Sequence, residues 1–155
     1  MDTDFYGCWF RGFEESLDNI GEQDRNTILK HCGRACSDSH TRQIYLDEHK
    51  NAADFSDFLS RLQERFPEAE FRVNNDNTVN LEYKYCGCDL VKNGYISSPV
   101  LCECSRQSLL YNWGSIFGES KVSVELKNSI LGGNDRCRFE ITVKDPGNGK
   151  GTYWQ

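Results

Sequence analysis

The chain has 155 residues, a formal net charge of −6 and 8 cysteines. That length supports one domain with its own apolar core, so the cysteines are not needed as the staples of a small scaffold. The acidic balance excludes nucleic acid as the main partner, because phosphate backbones select basic surfaces. A 12% share of aromatic residues with 3 prolines fits an ordered globule rather than a disordered segment.

Met1–Phe10 carries Asp2 and Asp4 and no apolar run, and no later stretch reads as a membrane span. The expectation is no membrane partner and a cytoplasmic, reducing location. There, paired cysteines are more often metal ligands or redox thiols than structural bridges. Arg61, Arg65 and Arg72 stand beside Glu64 and Glu68 and read as a solvated mixed face.

In chain order, Trp9, Phe10, Phe13, Leu17 and Ile20 recur at helical spacing up to Gly21. Cys8 among these aromatics is expected to be a buried, inert thiol. A second helix is predicted from Asp24, a good N-cap type. Ile28, Leu29, Cys32, Ala35 and Cys36 then share one face, so both thiols are expected to point toward the core, one turn apart. Gly33 weakens that helix by ~1 kcal/mol relative to alanine and suggests the close approach of another backbone. Residues 37–50 are polar and permit a short helix. His31, His40 and His49 read as surface groups without a metal-spaced partner. Asp54 caps a helix carrying the stripe Phe55, Phe58, Leu59, Leu62 and Phe66, which Pro67 stops.

The period then changes to two. Phe71 and Val73, the turn residues Asn74–Asn77, and the alternating Val79, Leu81, Tyr83 and Tyr85 predict a hairpin. Its end delivers Cys86-Gly87-Cys88, with Gly87 letting the backbone bring both sulfurs to one point. Thirteen residues, including Gly94 and Pro99, separate this pair from Cys102-Glu103-Cys104. Ser105 is the expected cap of a helix bearing Leu109, Leu110, Trp113, Ile116 and Phe117. A helix N-terminus favours thiolate, whether for ligation or for reactivity. Glu103 is expected to be exposed. A second hairpin follows: Val122, Val124, Leu126 and Ile130, a Gly132–Asp135 turn, then Cys137, Phe139, Ile141 and Val143. Cys137 reads as a core thiol. Residues 1–145 are thus expected to form a single cysteine-rich α+β domain, with helices packed on an antiparallel sheet of two hairpins. Residues 146–155 are expected to be a C-terminal tail.

Three close pairs of cysteines invite a soft metal. Cys86, Cys88, Cys102 and Cys104 are the first-choice ligands, and Cys32 and Cys36 come next from their helix. Four thiolates suit zinc, the leading expectation, or iron. Six thiols exceed one tetrahedral shell, so a second ion, an iron–sulfur cluster or a redox or catalytic thiol pair stays open. Reduced, unliganded thiols are the plain alternative. No Ser-His-Asp elbow, phosphate loop or HExxH helix competes, and no catalytic residue is assigned.

His31-Cys32-Gly33-Arg34-Ala35-Cys36, with the blocks Cys86-Gly87-Cys88-Asp89-Leu90-Val91 and Cys102-Glu103-Cys104-Ser105, resembles a family of small cysteine-rich bacterial proteins, mostly from anaerobes. That resemblance covers most of residues 25–143. The closing stretch Val122–Ile141, with Ser129-Ile130-Leu131-Gly132 and Cys137-Arg138-Phe139-Glu140-Ile141, is similar to the end of 4-vinyl-reductase-type domains and of L-2-amino-thiazoline-4-carboxylate hydrolases. The resemblance implies helices packed on an antiparallel sheet and a small-molecule partner. The paired cysteines depart from the generic pattern of those domains. The functional expectation is therefore a metal-binding domain that senses a small molecule or redox state. A thiol-dependent or metal-assisted hydrolase of a small sulfur-containing amide and an iron–sulfur electron carrier are the alternatives.

Overall fold

The computed structural model describes residues 4–75 and 77–145. The expected tail, 146–155, lies outside the described residues. The elements run α1 (Phe5–Asn19), α2 (Glu22–Cys36), α3 (Arg42–Asn51), α4 (Phe55–Arg65), β1 (Ala69–Asn75), β2 (Thr78–Tyr83), a short α5 (Asp89–Lys92), α6 (Cys102–Phe117), β3 (Val122–Asn128) and β4 (Cys137–Val143). All strand pairings are antiparallel, in the order β1-β2-β4-β3. The α+β class with helices on a two-hairpin sheet is as expected.

The sheet is amphipathic because its strands alternate. Leu81 lies opposite Phe139, and Val79 and Val124 both lie opposite Ile141, all on the buried face. Glu82 and Glu125 are on the other face, which is solvated. Tyr45 from α3, Phe55, Phe58 and Leu62 from α4, and Leu109, Trp113 and Phe117 from α6 fill the buried side. The apolar stripe of α4 is where its spacing predicts, and the Asp54 carboxylate accepts the Asp57 N–H at 2.8 Å. His49 differs from expectation. It is half-buried, with its ring edge-on to Phe58 and Phe117.

Residues 37–50 are helical throughout. A π-helical turn, Ser37–Thr41, joins α2 to α3, and the Arg42 N–H reaches back to the Ser37 carbonyl. Few apolar residues hold this stretch, so hydropathy understates it. Hydrogen bonds to α6 do the work instead. Ser37 Oγ lies 2.5 Å from Ser108 Oγ, the Tyr111 hydroxyl donates to Asp38, Asn112 Nδ2 donates to Thr41, and Arg42 Nε donates to Ser115. β3 stops at Asn128, so Ile130 sits in the following turn rather than on the strand. In that turn the Ser129 hydroxyl accepts the Gly132 N–H at 2.9 Å and Asn134 Oδ1 accepts the Ser129 N–H.

α1 packs over a smaller apolar cluster of Leu17, Leu29, Ile96 and Leu101. Its polar tether is Glu14, a buried carboxylate that accepts the N–H groups of Ser97 and Ser98 at 2.6 and 2.8 Å. Cys8, expected in the core, is exposed and accepts from Arg11 at 3.3 Å. Phe5, Tyr6 and Trp9 around it are exposed as well. Replacing Glu14 by Ala strands two amide donors and is expected to cost roughly 2–3 kcal/mol. Hydrogen exchange should quicken in 5–19 and 96–101 while the β2 and β4 amides stay protected. Uniform loss of protection across both regions would contradict a local tether.

Candidate thiol cluster

The first turn of α6 organises the cysteines. A short 3₁₀ turn, Pro99–Leu101, leads into it, with Ser98 accepting the Val100 N–H. The helix therefore begins at Cys102 rather than after Ser105, and both thiols of this pair are helical. Positions two apart on an α-helix are about 200° apart around its axis. Cys102 and Cys104 consequently face different neighbours.

Cys104 faces α2. A Cβ on Gly33 would lie 2.6 Å from the Cys104 carbonyl oxygen and 2.9 Å from both the Ser108 nitrogen and Gln107 Cβ. The two helices thus meet backbone to backbone, as the isolated Gly33 suggests from the sequence. The buried seam of α2 and the π-helical turn after it is Leu29, Gly33 and Ser37. Cys32 and Cys36 share a face, as their spacing requires, but they are exposed and flank this seam rather than entering the core. Cys88, just ahead of α5, packs against the same apolar cluster as Cys104.

Cys102 faces the sheet. It is buried, as is Cys137 at the start of β4, where Cys137 lies opposite Tyr83. β2 ends at Tyr83, so Tyr85 and Cys86 lie beyond the strand in the connection that carries Cys86 toward this side. The Ile130 N–H donates to the Cys137 sulfur at 3.3 Å.

The electrostatics follow this division. Burial pushes the Cys104 thiol up to about 12, and Cys36, Cys32, Cys88 and Glu103 add to the rise. Cys36, although exposed as a residue, is pushed up by the protein around its sulfur, then by Cys88 and by Asp89. Burial also raises Cys102. A Ser129 hydrogen bond opposes this, and Cys137, Cys86 and Cys88 reinforce it. Cys137 is raised by burial, with the Ile130 amide opposing and Cys86 adding. Two overlapping groups of thiols therefore bear on one another: Cys32, Cys36, Cys88 and Cys104 form one, Cys86, Cys88, Cys102 and Cys137 the other, with Cys88 common to both.

Glu103 is not the exposed side chain expected. Burial pushes its carboxyl up, but hydrogen bonds from Arg106 and Gln107 outweigh this and hold it below its usual range. Arg106 grips both carboxylate oxygens, at 2.8 and 2.6 Å, and also donates to the Val124 carbonyl. Both oxygens being occupied, Glu103 holds Arg106 in place, and Arg106 bridges α6 to β3. His31 and His40 are exposed.

The six sequence-selected cysteines thus lie around the first turn of α6, with Ser129 and Cys137 on its sheet side. Cys137 was read only as core, because its alternation with Phe139 and Ile141 carries no sign of what lies across the turn. Among the described residues, no group of three or more His, Cys, Asp or Glu is placed so that it could hold a metal ion. No helix among them is long and apolar enough to cross a membrane. Two grooves among the described residues lie along the α2–α6 seam. One is lined by Glu22, Asn26, Lys30 and Gln107, the other by Lys30, Arg34, Tyr111 and Glu119.

No family model matches the chain, and no curated protein matches it. Among solved structures the chain is similar to the phenol-responsive sensory domain of the transcription activator PoxR, crystallised with phenol. The TM-score is 0.56 at 11% identity, over 92% of this chain and 76% of that one. At that identity the likeness is one of fold.

Two outcomes follow from the geometry. Gly33→Ala must part the helices, and is expected to lose at least roughly 2 kcal/mol in chemical denaturation despite alanine's better helix propensity. A neutral or stabilised variant would contradict the close approach. In reduced, metal-free protein at neutral pH, Cys104 should carry roughly a thousandfold less thiolate than a free thiol. Site-resolved alkylation should therefore label exposed Cys8 and Cys32 early and Cys104 last. Early labelling of Cys104 would contradict its placement.

Proposed function

We propose that this chain is a metal-binding domain whose paired cysteines hold a soft or borderline cation, zinc foremost, and that it senses a small molecule or redox state. The candidate ligands are Cys86, Cys88, Cys102, Cys104, Cys32 and Cys36. One observation carries the reading: three cysteine pairs, distant in sequence, collect around the first turn of α6.

The donor chemistry fits. Thiolate sulfur selects zinc, copper(I) or iron–sulfur chemistry over hard cations. Without a metal these thiols disfavour one another's ionisation, and Asp89 and Glu103 add to the same effect. A cation would reverse that balance, since a coordinating thiol is held deprotonated. As they stand, no three of the described ligand-type residues are placed to hold a metal, so ligation requires the cysteine side chains to reorient. The sensing half of the proposal is supported by the fold, which resembles a domain described as phenol-responsive. The site is also placed to report, because ligands from α2, α6 and the segment before α5 would be tied together when the metal binds or lost together when the thiols oxidise.

Elemental analysis and a visible spectrum on protein purified without oxygen or added metal test the reading. Stoichiometric, colourless metal, with thiols that become titratable only after chelation, is the expected result. Iron with acid-labile sulfide would replace it with the electron-carrier alternative. Metal-free protein with every thiol titratable would overturn it.

A further inference from the structure

The expected first-choice set, Cys86, Cys88, Cys102 and Cys104, treats each Cys-x-Cys pair as a unit. The helix breaks one of those units. Because α6 starts at Cys102, its two thiols leave the axis in different directions. Cys102 is buried on the sheet side, near Ser129 and Cys137. The Cys104 backbone presses on Gly33, which lies between Cys32 and Cys36 on the adjoining helix. Cys32 and Cys36 are one turn apart and on the same face, the i, i+4 spacing by which one helix presents two ligands to one point. Cys88 packs on the same apolar cluster as Cys104, and it bears on Cys36 and Cys104 as well as on Cys102. Cys86, two residues earlier and beyond the end of β2, bears on Cys102 and Cys137 and on neither Cys36 nor Cys104.

We propose that a single soft or borderline cation is held by Cys32, Cys36, Cys88 and Cys104, and that Cys86 and Cys102 lie outside its shell. This rests on the metal-binding reading above and names its ligands. Each thiol gives up its proton to solvent on ligation, so the site is sulfur-only and suits zinc, cadmium or copper(I) rather than calcium or magnesium. The exposure of Cys32 and Cys36 gives the cation a path in from the surface. Both lie beside the contact at Gly33, so the metal would clamp α2 to α6 at their point of closest approach.

Cobalt(II) is the probe, added to the reduced full chain while sulfur-to-cobalt charge-transfer absorption is followed. One cobalt per chain is expected. Cys32→Ser and Cys36→Ser, at exposed positions that leave the fold intact by circular dichroism, should each weaken binding by more than about a hundredfold, since loss of outer partners alone costs ten- to a hundredfold. Cys86→Ser and Cys102→Ala should bind within about twofold of the parent. A readout that needs no variant is alkylation of cobalt-loaded parent protein: Cys32, Cys36, Cys88 and Cys104 should be protected while Cys86 stays reactive. If cobalt binds but is lost with Cys86→Ser and kept with Cys32→Ser and Cys36→Ser, this ligand set is overturned while the metal reading survives. If the parent binds no cobalt, both fall together.

Discussion

A glycine with no room for a side chain sets the geometry of the site. At Gly33 the α2 backbone lies against the carbonyl of Cys104, and any Cβ there would collide with main chain. From that contact a ladder runs along both helices in steps of four. Gly33 meets Cys104, Ser37 meets Ser108 and Thr41 meets Asn112, and past this run of fours Tyr45 lies edge-on to Trp113. Residue numbers rise together on the two sides, so the helices run parallel. A step of four residues overshoots a full α-helical turn by about 40°. The π-helical turn at Ser37–Thr41 is wider than an α-turn and offsets part of that drift, which keeps the ladder facing α6. The thiols of α2 are held beside Cys104 by this register.

Period-based features were legible in the sequence. The α4 stripe and the strands β2, β3 and β4 carry their burial pattern in a repeat of 3.6 or 2, and the structure places them accordingly, whereas Val73 and Tyr85 of the first hairpin are exposed. The α2–α6 seam was not legible in the same way, because it is built from glycine, serine, threonine and asparagine, to which hydropathy is blind. Ile28, Leu29, Cys32, Ala35 and Cys36 formed the obvious apolar face, yet the buried line is Leu29, Gly33 and Ser37. Cys8 went wrong for a related reason: aromatic neighbours along a helix do not imply burial when Phe5, Tyr6 and Trp9 all face solvent. Glu103 could have been read better. Arg106 follows it at i+3, a spacing that pairs opposite charges on one helix face.

The candidate site shows the same contrast between what spacing carries and what folding adds. Cys-x-Cys on an extended loop brings two sulfurs together, whereas Cys-x-Cys inside a helix drives them apart. The sequence locates the thiols but leaves the start of α6 uncertain by a few residues, and those few residues decide which sulfurs meet. Pro99 and Ser98 start the helical winding early through a 3₁₀ turn, so Cys102 is already committed to the sheet side. Ser129 and Cys137 receive it there. The sensing proposal gains a physical form from this arrangement. Cys32 and Cys36 of α2 are exposed to reagents beside one face of the first α6 turn, whereas Cys102 on its other face is buried.

X-ray absorption at the edge of the bound metal tests the central claim most directly, because it counts sulfur neighbours without altering a residue. Protein purified anaerobically should show four sulfurs at about 2.3 Å and no second metal nearby, as a closed four-thiolate site requires. A shell of nitrogen and oxygen, or a metal–metal vector, would contradict it.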